Sequence, residues 1–192
     1  TEDNGLTFET IHSFDHRVMN IEISRADINY LYLTTWESWW GEKQIWRTTN
    51  GGITWTEITP PSSLLIGEEW VPYDIAVSAN DPNVVWAVRT SQYGGTNLDG
   101  RMVFKSINGG DSWTNFTTAS LNGEAPSNIE HQKGTDGGVY IGTRRAVYYR
   151  NNSMSEWALF NNNLPLSTNS TKLVIKYKDQ LLRNATNRSV YE

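Results

Sequence analysis

Thr48-Thr49-Asn50-Gly51-Gly52-Ile53-Thr54-Trp55 is the stretch that decides how this chain folds. It returns as Ser106-Ile107-Asn108-Gly109-Gly110-Asp111-Ser112-Trp113, and Thr1-Glu2-Asp3-Asn4-Gly5-Leu6-Thr7-Phe8 is a third copy. The shared pattern is Ser or Thr, any residue, Asp or Asn, any residue, Gly, any residue, Ser or Thr, aromatic. Each position suits a tight hairpin. Asp or Asn bonds its own backbone two residues on and so makes a turn. Gly accepts the positive φ that such turns need. The hydroxyl side chains bond loop backbone, and the aromatic is expected to anchor the turn to a core.

A fourth copy, Arg150-Asn151-Asn152-Ser153-Met154-Ser155-Glu156-Trp157, has lost its glycine, so its turn is expected to differ. The motif aromatics Phe8, Trp55, Trp113 and Trp157 stand 47, 58 and 44 residues apart. Between them one grammar recurs. Tyr73-Asp74-Ile75-Ala76-Val77-Ser78 alternates as a strand, and Ala79-Asn80-Asp81-Pro82-Asn83 is a turn cluster. Val84-Val85-Trp86-Ala87-Val88 is a second strand. Met102-Val103-Phe104-Lys105 is a third, leading into the motif, and residues 112–117 leave it as a fourth. Asn20-Ile21-Glu22-Ile23-Ser24, Asn128-Ile129-Glu130-His131 and Lys172-Leu173-Val174-Ile175 open the other units in the same way.

Four-stranded antiparallel units of ~40–50 residues in tandem are the pattern of β-propeller blades, which bury their faces by stacking on one another. The chain is read as all-β, a single propeller domain over residues 1–192 with about four blades. Residues 1–12 form the last strand of a preceding blade. Blades follow at 13–60, 61–118 and 119–160, and an incomplete final blade at 161–192. Trp55, Trp113 and Trp157 are expected between blades. Joined head to tail, Val190-Tyr191-Glu192-Thr1-Glu2-Asp3-Asn4-Gly5 reads like Ile45-Trp46-Arg47-Thr48-Thr49-Asn50-Gly51-Gly52. Either four blades close on themselves, or these blades are part of a larger ring. The second is favoured, because four is the low end of the range of 4–8 blades.

The repeated octapeptide resembles the Asp-box (BNR) repeat of sialidases, sortilin-type propellers and xyloglucan-active endoglucanases. In those families the box marks the fold and is not catalytic. On that resemblance Asp3, Gly5, Phe8, Asn50, Gly52, Trp55, Asn108, Gly110 and Trp113 are structural. The last third is similar to something narrower. Phe160-Asn161-Asn162-Asn163-Leu164-Pro165, Lys172-Leu173-Val174 and the run from Leu182-Arg183-Asn184 to Val190-Tyr191-Glu192 resemble the closing blade of sortilin-type propellers. Those occur in large secreted surface proteins of Bacteroidetes-like bacteria, often ahead of a type IX secretion sorting domain. The resemblance implies a secreted or cell-surface bacterial protein with further domains, and names no reaction.

Composition sets outer bounds. Nine Trp, nine Tyr and five Phe in 192 residues supply large buried areas. The net charge of −5, with no basic run, argues against nucleic acid as a partner. No apolar run is long enough for a transmembrane helix, so membrane insertion is not expected. Cysteine is absent, which excludes disulfides, thiol catalysis and Cys-based zinc sites. Sequons at Asn115, Asn151, Asn169, Asn184 and Asn187 matter only in a glycosylating host.

In a propeller the motif turns lie on one face, and the long loops at residues 34–43, 59–72, 90–101 and 118–127 go to the other. Loops of this length are more often functional than needed by a fold. They carry Trp36, Trp39, Trp40, Trp70 and Tyr93 beside Glu37, Glu42, Glu68, Glu69 and Asp99. Flat aromatics next to carboxylates suit sugar rings, and aromatic clusters also anchor protein partners. The competing expectation is that these rings fold back over the core. Asn20, Asp74, Asn128 and Lys172, at the starts of the innermost strands, are expected to ring the central channel as a solvated lining.

Signals for an enzyme are weak. The Arg-Ile-Pro signature of sialidases is absent, and the adjacent pair Arg144 and Arg145 reads as a solvated loop. Glycoside hydrolysis generally needs two carboxylates ~5–10 Å apart, a spacing that sequence does not give for Glu37, Glu42, Glu68, Glu69, Asp74 or Asp99. His12 and His16 lack a third ligand, so no metal is expected, and no cofactor is. The reading is a non-catalytic binding or scaffold propeller contacting carbohydrate or protein through the loop face. The alternative is part of a xyloglucanase-like or sialidase-like glycoside hydrolase.

Overall fold

The repeated turn generates the architecture seen in the computed structural model, which describes residues 3–38, 43–64, 73–89, 101–165 and 167–192. In the second copy of the motif, Thr48 Oγ1 accepts from the amides of Asn50 at 3.3 Å and Gly52 at 3.0 Å. Asn50 Oδ1 accepts from the Thr54 amide at 3.0 Å, and Asn50 Nδ2 donates to Thr54 Oγ1 at 2.9 Å. Ser106, Asn108 and Ser112 repeat the set, with Gly110 N to Ser106 Oγ at 2.8 Å and Ser112 N to Asn108 Oδ1 at 2.9 Å. Asp3 holds Thr7 by both amide, at 2.9 Å, and hydroxyl, at 2.6 Å. Gly51 and Gly52 take φ +69° and +97°, and Gly109 and Gly110 take +70° and +98°. In the copy without glycine no residue has a positive φ. Arg150 stands there in place of Thr48, its Nε donating to Met154 O at 3.2 Å.

Three of these turns join the outer two strands of an antiparallel sheet, and the described residues form four sheets, each a meander in chain order. Blade 1 holds β1 (Arg17–Ile23), β2 (Leu31–Trp36), β3 (Lys43–Thr48) and β4 (Thr56–Glu57). Blade 2 holds β5 (Tyr73–Val77), β6 (Val85–Arg89), β7 (Val103–Ser106) and β8 (Thr114–Asn115). Blade 3 holds β9 (Pro126–His131), β10 (Val139–Thr143), β11 (Val147–Arg150) and β12 (Ala158–Leu159). Blade 4 holds β13 (Ser170–Lys176), β14 (Leu181–Thr186) and β15 (Val190–Tyr191). The molecule is an all-β, four-bladed propeller. Among the described residues helix is confined to two single 3-10 turns, Ser62–Leu64 and Ala119–Leu121.

Every residue of β5, β6 and β10 is buried, as expected of strands covered on both faces. One apolar cluster, with Tyr32, Ile45, Ile75 and Phe104, lies between blades 1 and 2. A second, with Trp86, Val103, Ile129 and Ile141, lies between blades 2 and 3. A third, with Tyr140, Val147 and Leu173, lies between blades 3 and 4. Trp86 and Phe104 are wholly buried, and each such ring contributes about 2–3 kcal/mol through its area.

Two of the motif aromatics, Trp113 and Trp157, share a contact that sequence did not reveal. Trp113 Nε1 donates to the carbonyl of Ile58 in the preceding blade at 2.7 Å, and Trp157 Nε1 to that of Phe116 at 3.0 Å. Ile58 and Phe116 each stand three residues past their own motif aromatic. Ile11 holds the same place after Phe8, and its side chain lies against Gly52. Trp113 and Trp157 are buried between blades as expected. Trp55 is only half-buried, and its Nε1 bonds Gly52 O at 3.0 Å.

Phe8 is the exception to the expected anchoring. It is 80% exposed, because among the described residues no blade covers it. For the same reason residues 7–12, expected as a fourth strand, pair with no strand among the described residues. Residues 34–36, read as loop, continue β2, since Trp36 pairs with Lys43.

Candidate functional site

The first strands β1, β5, β9 and β13 are neighbours in that order, so their side chains line the axis. Period-two alternation puts Asn20, Asp74, Asn128 and Lys172 in one row, and Glu22, Ala76, Glu130 and Val174 in the next. The first row is solvated only in part, with Lys172 exposed and Asn20 half-buried, while Asp74 and Asn128 are buried. Asn20 Nδ2 donates to Asp74 Oδ1, and the Ile129 amide of blade 3 donates to Asp74 Oδ2 at 2.9 Å. Asn128 Nδ2 donates to Ser170 Oγ at 2.9 Å, and Ser170 Oγ donates to Asn184 Oδ1 at 2.7 Å. Ser127 Oγ donates to the Ser170 carbonyl at 2.5 Å. A polar clasp thus runs through all four blades.

The electrostatics follow from burial. Desolvation pushes the Asp74 carboxyl up, opposed by Lys172 and by the amides and Asn20 that bond it. Glu22 is pushed up to about 7 by burial and by Glu130 and Asp74, against the pull of Lys172 and Arg25. Glu130 is raised in the same way, burial again leading. Three carboxylates therefore share the field of Lys172. The second row opens on the motif-turn face into a cavity of about 60 Å³, touched by Glu22, Arg25, Glu130, Lys133 and Tyr177. That is room for a few water molecules, not for a sugar ring. Glu22 and Glu130 stand in the strands read from sequence but were not among the expected site residues, although alternation along β1 and β9 points both inward.

On the opposite face only part of the expected aromatic cluster is on view. Trp39, Trp40, Trp70 and Tyr93 lie outside the described residues, as do Glu42, Glu68, Glu69 and Asp99. Trp36 ends β2 half-buried, its Nε1 donating to Ser38 O at 2.5 Å and the Arg17 guanidinium 5.8 Å from its ring centre. Arg144 and Arg145 sit in the β10–β11 turn, half-buried and exposed. His12 packs edge-on to Phe14 at 4.6 Å. No group of three or more His, Asp or Glu is placed to hold a metal ion among the described residues, and no described helix is long and apolar enough to cross a membrane. A larger cavity, of about 310 Å³, lies between blades 3 and 4 against Val147, Leu159, Phe160, Leu182 and Tyr191.

No family model and no curated protein matches the chain. Solved structures do, and all those described next are propellers. A GH74 enzyme from Niastella koreensis matches with a TM-score of 0.61 and 21% identity, over 88% of this chain and 26% of its own. The GH74 xyloglucanase from Xanthomonas campestris gives 0.62 and 15%, over 88% and 26%. YCF48 bound to a D1 peptide gives 0.61 and 14%, over 90% of this chain and 48% of its own. The chain therefore spans about a quarter of the glycoside hydrolases and about half of YCF48. At these identities the likeness carries the fold.

Proposed function

We propose that the chain is an Asp-box propeller that serves as a non-catalytic binding or scaffold module of a secreted or cell-surface bacterial protein. What carries the reading is the use made of the axial carboxylates. Asp74 is spent on a clasp between blades, and Glu22 and Glu130 face a volume too small for a saccharide. Ligand contact then falls to the loop face bearing Trp36, Trp39, Trp40, Trp70 and Tyr93, where carbohydrate or a protein segment would stack on the rings. A solved propeller structure with a bound peptide, YCF48 with D1 peptide, supports the protein side of this reading. Sortilin-type relationship and export rest on the sequence of the last third.

The test is binding to glycan and peptide arrays, repeated with Trp39→Ala plus Trp40→Ala. The double variant is expected to lose at least tenfold in affinity. Unchanged binding would place the ligand elsewhere. The second reading, a piece of a glycoside hydrolase, is favoured by the GH74 neighbours. Release of reducing sugar from xyloglucan, abolished by substituting a loop carboxylate, would establish it.

A further inference from the structure

Four Asn-Gly pairs occur in the chain, at Asn4, Asn50, Asn108 and Asn122. In the first, Asp3 and not Asn4 makes the motif bonds. The other three share a dipeptide and differ in how it is held. Asn50 and Asn108 take the bonding position of the motif turn. Asn50 Oδ1 accepts from the Thr54 amide at 3.0 Å and from the Thr48 hydroxyl at 2.9 Å, and its Nδ2 donates to Thr54 Oγ1 at 2.9 Å. Asn108 is bonded in the same way by Ser106 and Ser112. The amide that follows each is bonded as well, Gly51 N to Asn29 O at 3.0 Å and Gly109 N to Asn83 O at 2.8 Å.

Asn122 has none of this. Leu121 is wholly buried in the cluster between blades 2 and 3, and the Glu124 amide donates to its carbonyl at 3.0 Å. Asn122 at φ −60° and ψ 128°, with Gly123 at φ +78°, are then the central residues of a type II turn. Both are exposed. The bond that closes such a turn does not use the amide between its central residues. Among the described residues neither the Gly123 amide nor the Asn122 side chain has a partner. A Cβ at Gly123 would have nothing within 4 Å, so nothing blocks the approach of the Asn122 side chain to the Gly123 nitrogen.

We propose that Asn122 is a site of spontaneous deamidation through a cyclic imide with Gly123, and that the motif turn keeps Asn50 and Asn108 as amides. The Gly123 nitrogen loses its proton to solvent and forms a bond to Cγ of Asn122. The Cγ–Nδ2 bond breaks, and Nδ2 takes a proton back from solvent and leaves as ammonia. Water then opens the imide. Attack at Cγ breaks its bond to the Gly123 nitrogen and gives aspartate. Attack at the main-chain carbonyl carbon of Asn122 breaks the other bond and gives isoaspartate. In Asn50 and Asn108 the same closure would have to break the side-chain bonds and free the glycine amide first. The product puts a new carboxylate on the loop face, two residues from Glu124, whose own carboxylate accepts from Thr143 at 2.6 Å and from Tyr148 at 3.2 Å. The isoaspartyl form also lengthens the main chain by one carbon inside the turn.

The unaltered chain, folded and again unfolded in urea, is incubated in heavy-oxygen water at mildly alkaline pH. Fragment mass spectra assign each conversion to its residue, and the labelled oxygen separates it from conversion during handling. In the folded chain Asn122 is expected to convert at least tenfold faster than Asn50 or Asn108, with isoaspartate as well as aspartate at that position. In urea the three should convert at similar rates. Equal rates in the folded chain, or an Asn122 that stays an amide while the unfolded chain converts, would overturn the proposal. The folded ranking kept in urea would deny the motif turn its protecting role, and aspartate without isoaspartate would deny the cyclic route; either would overturn it as well.

Discussion

A methyl group added to Gly110 would lie 2.5 Å from Cδ1 of Ile58 and 2.8 Å from its Cβ, on a backbone at φ +98°. Strain at positive φ and overpacking then act together, so Gly110→Ala should cost about 3 kcal/mol in urea unfolding. Gly123, at φ +78° with nothing within 4 Å of its would-be Cβ, isolates the first cause, and Gly123→Ala should cost about 1 kcal/mol. Equal costs at the two sites would refute close packing as the reason for the second motif glycine. Glu22 offers a test of charge. Its carboxyl is raised from 4.5 to about 7, so across that window the folded chain keeps a proton that the unfolded chain has released. The stability this brings is full at low pH and is lost as pH rises through 7. Lys172 and Arg25 oppose the shift, and Glu130 and Asp74 add to it. Glu22→Gln should therefore change little at pH 4.5 and stabilise by about 1–2 kcal/mol at pH 8, read as melting temperature at each pH.

Among the elements, the bonds between blades are the ones open to test. Trp113→Phe keeps most of the ring and removes only the donor to the Ile58 carbonyl. It should cost about 1–2 kcal/mol. Asp74→Ala strips the acceptor from both Asn20 and the buried Ile129 amide and should cost more, about 2–3 kcal/mol. If Asp74→Ala is as stable as the parent, the axial clasp has no mechanical role. The strands were legible because they alternate or run apolar between turn clusters, and the motif turn because its side chains bond their own loop. The carbonyls that the inter-blade tryptophans bond were not, since Trp113 and Ile58 are 55 residues apart and nothing local marks the pair. The axial row was named from strand starts. The burial of Asp74 within that row was missed because sequence does not show that it lies within reach of an amide in the next blade. The aromatic loop face was legible only as composition, and of its five rings the structure describes Trp36 alone.

At the scale of the molecule, stability should be graded along the arc. Repeat architectures are stabilised unit by unit through their neighbours, and blades 2 and 3 have a packed blade on each side. Amide hydrogen exchange is expected to be slowest in β5–β7 and β9–β11. It should be faster in β13–β15, where Val174 and Val190 are 51% and 65% exposed. Uniform protection across the four sheets would contradict this ordering. The tryptophan contact also has a direction. Trp113 and Trp157 look back to carbonyls 55 and 41 residues earlier in the chain. Residues near the N-terminus leave the ribosome first, so each indole emerges to find its acceptor strand already made. Assembly can then run as a one-way ratchet, with blades 2 and 3 each clipped to the blade made before it.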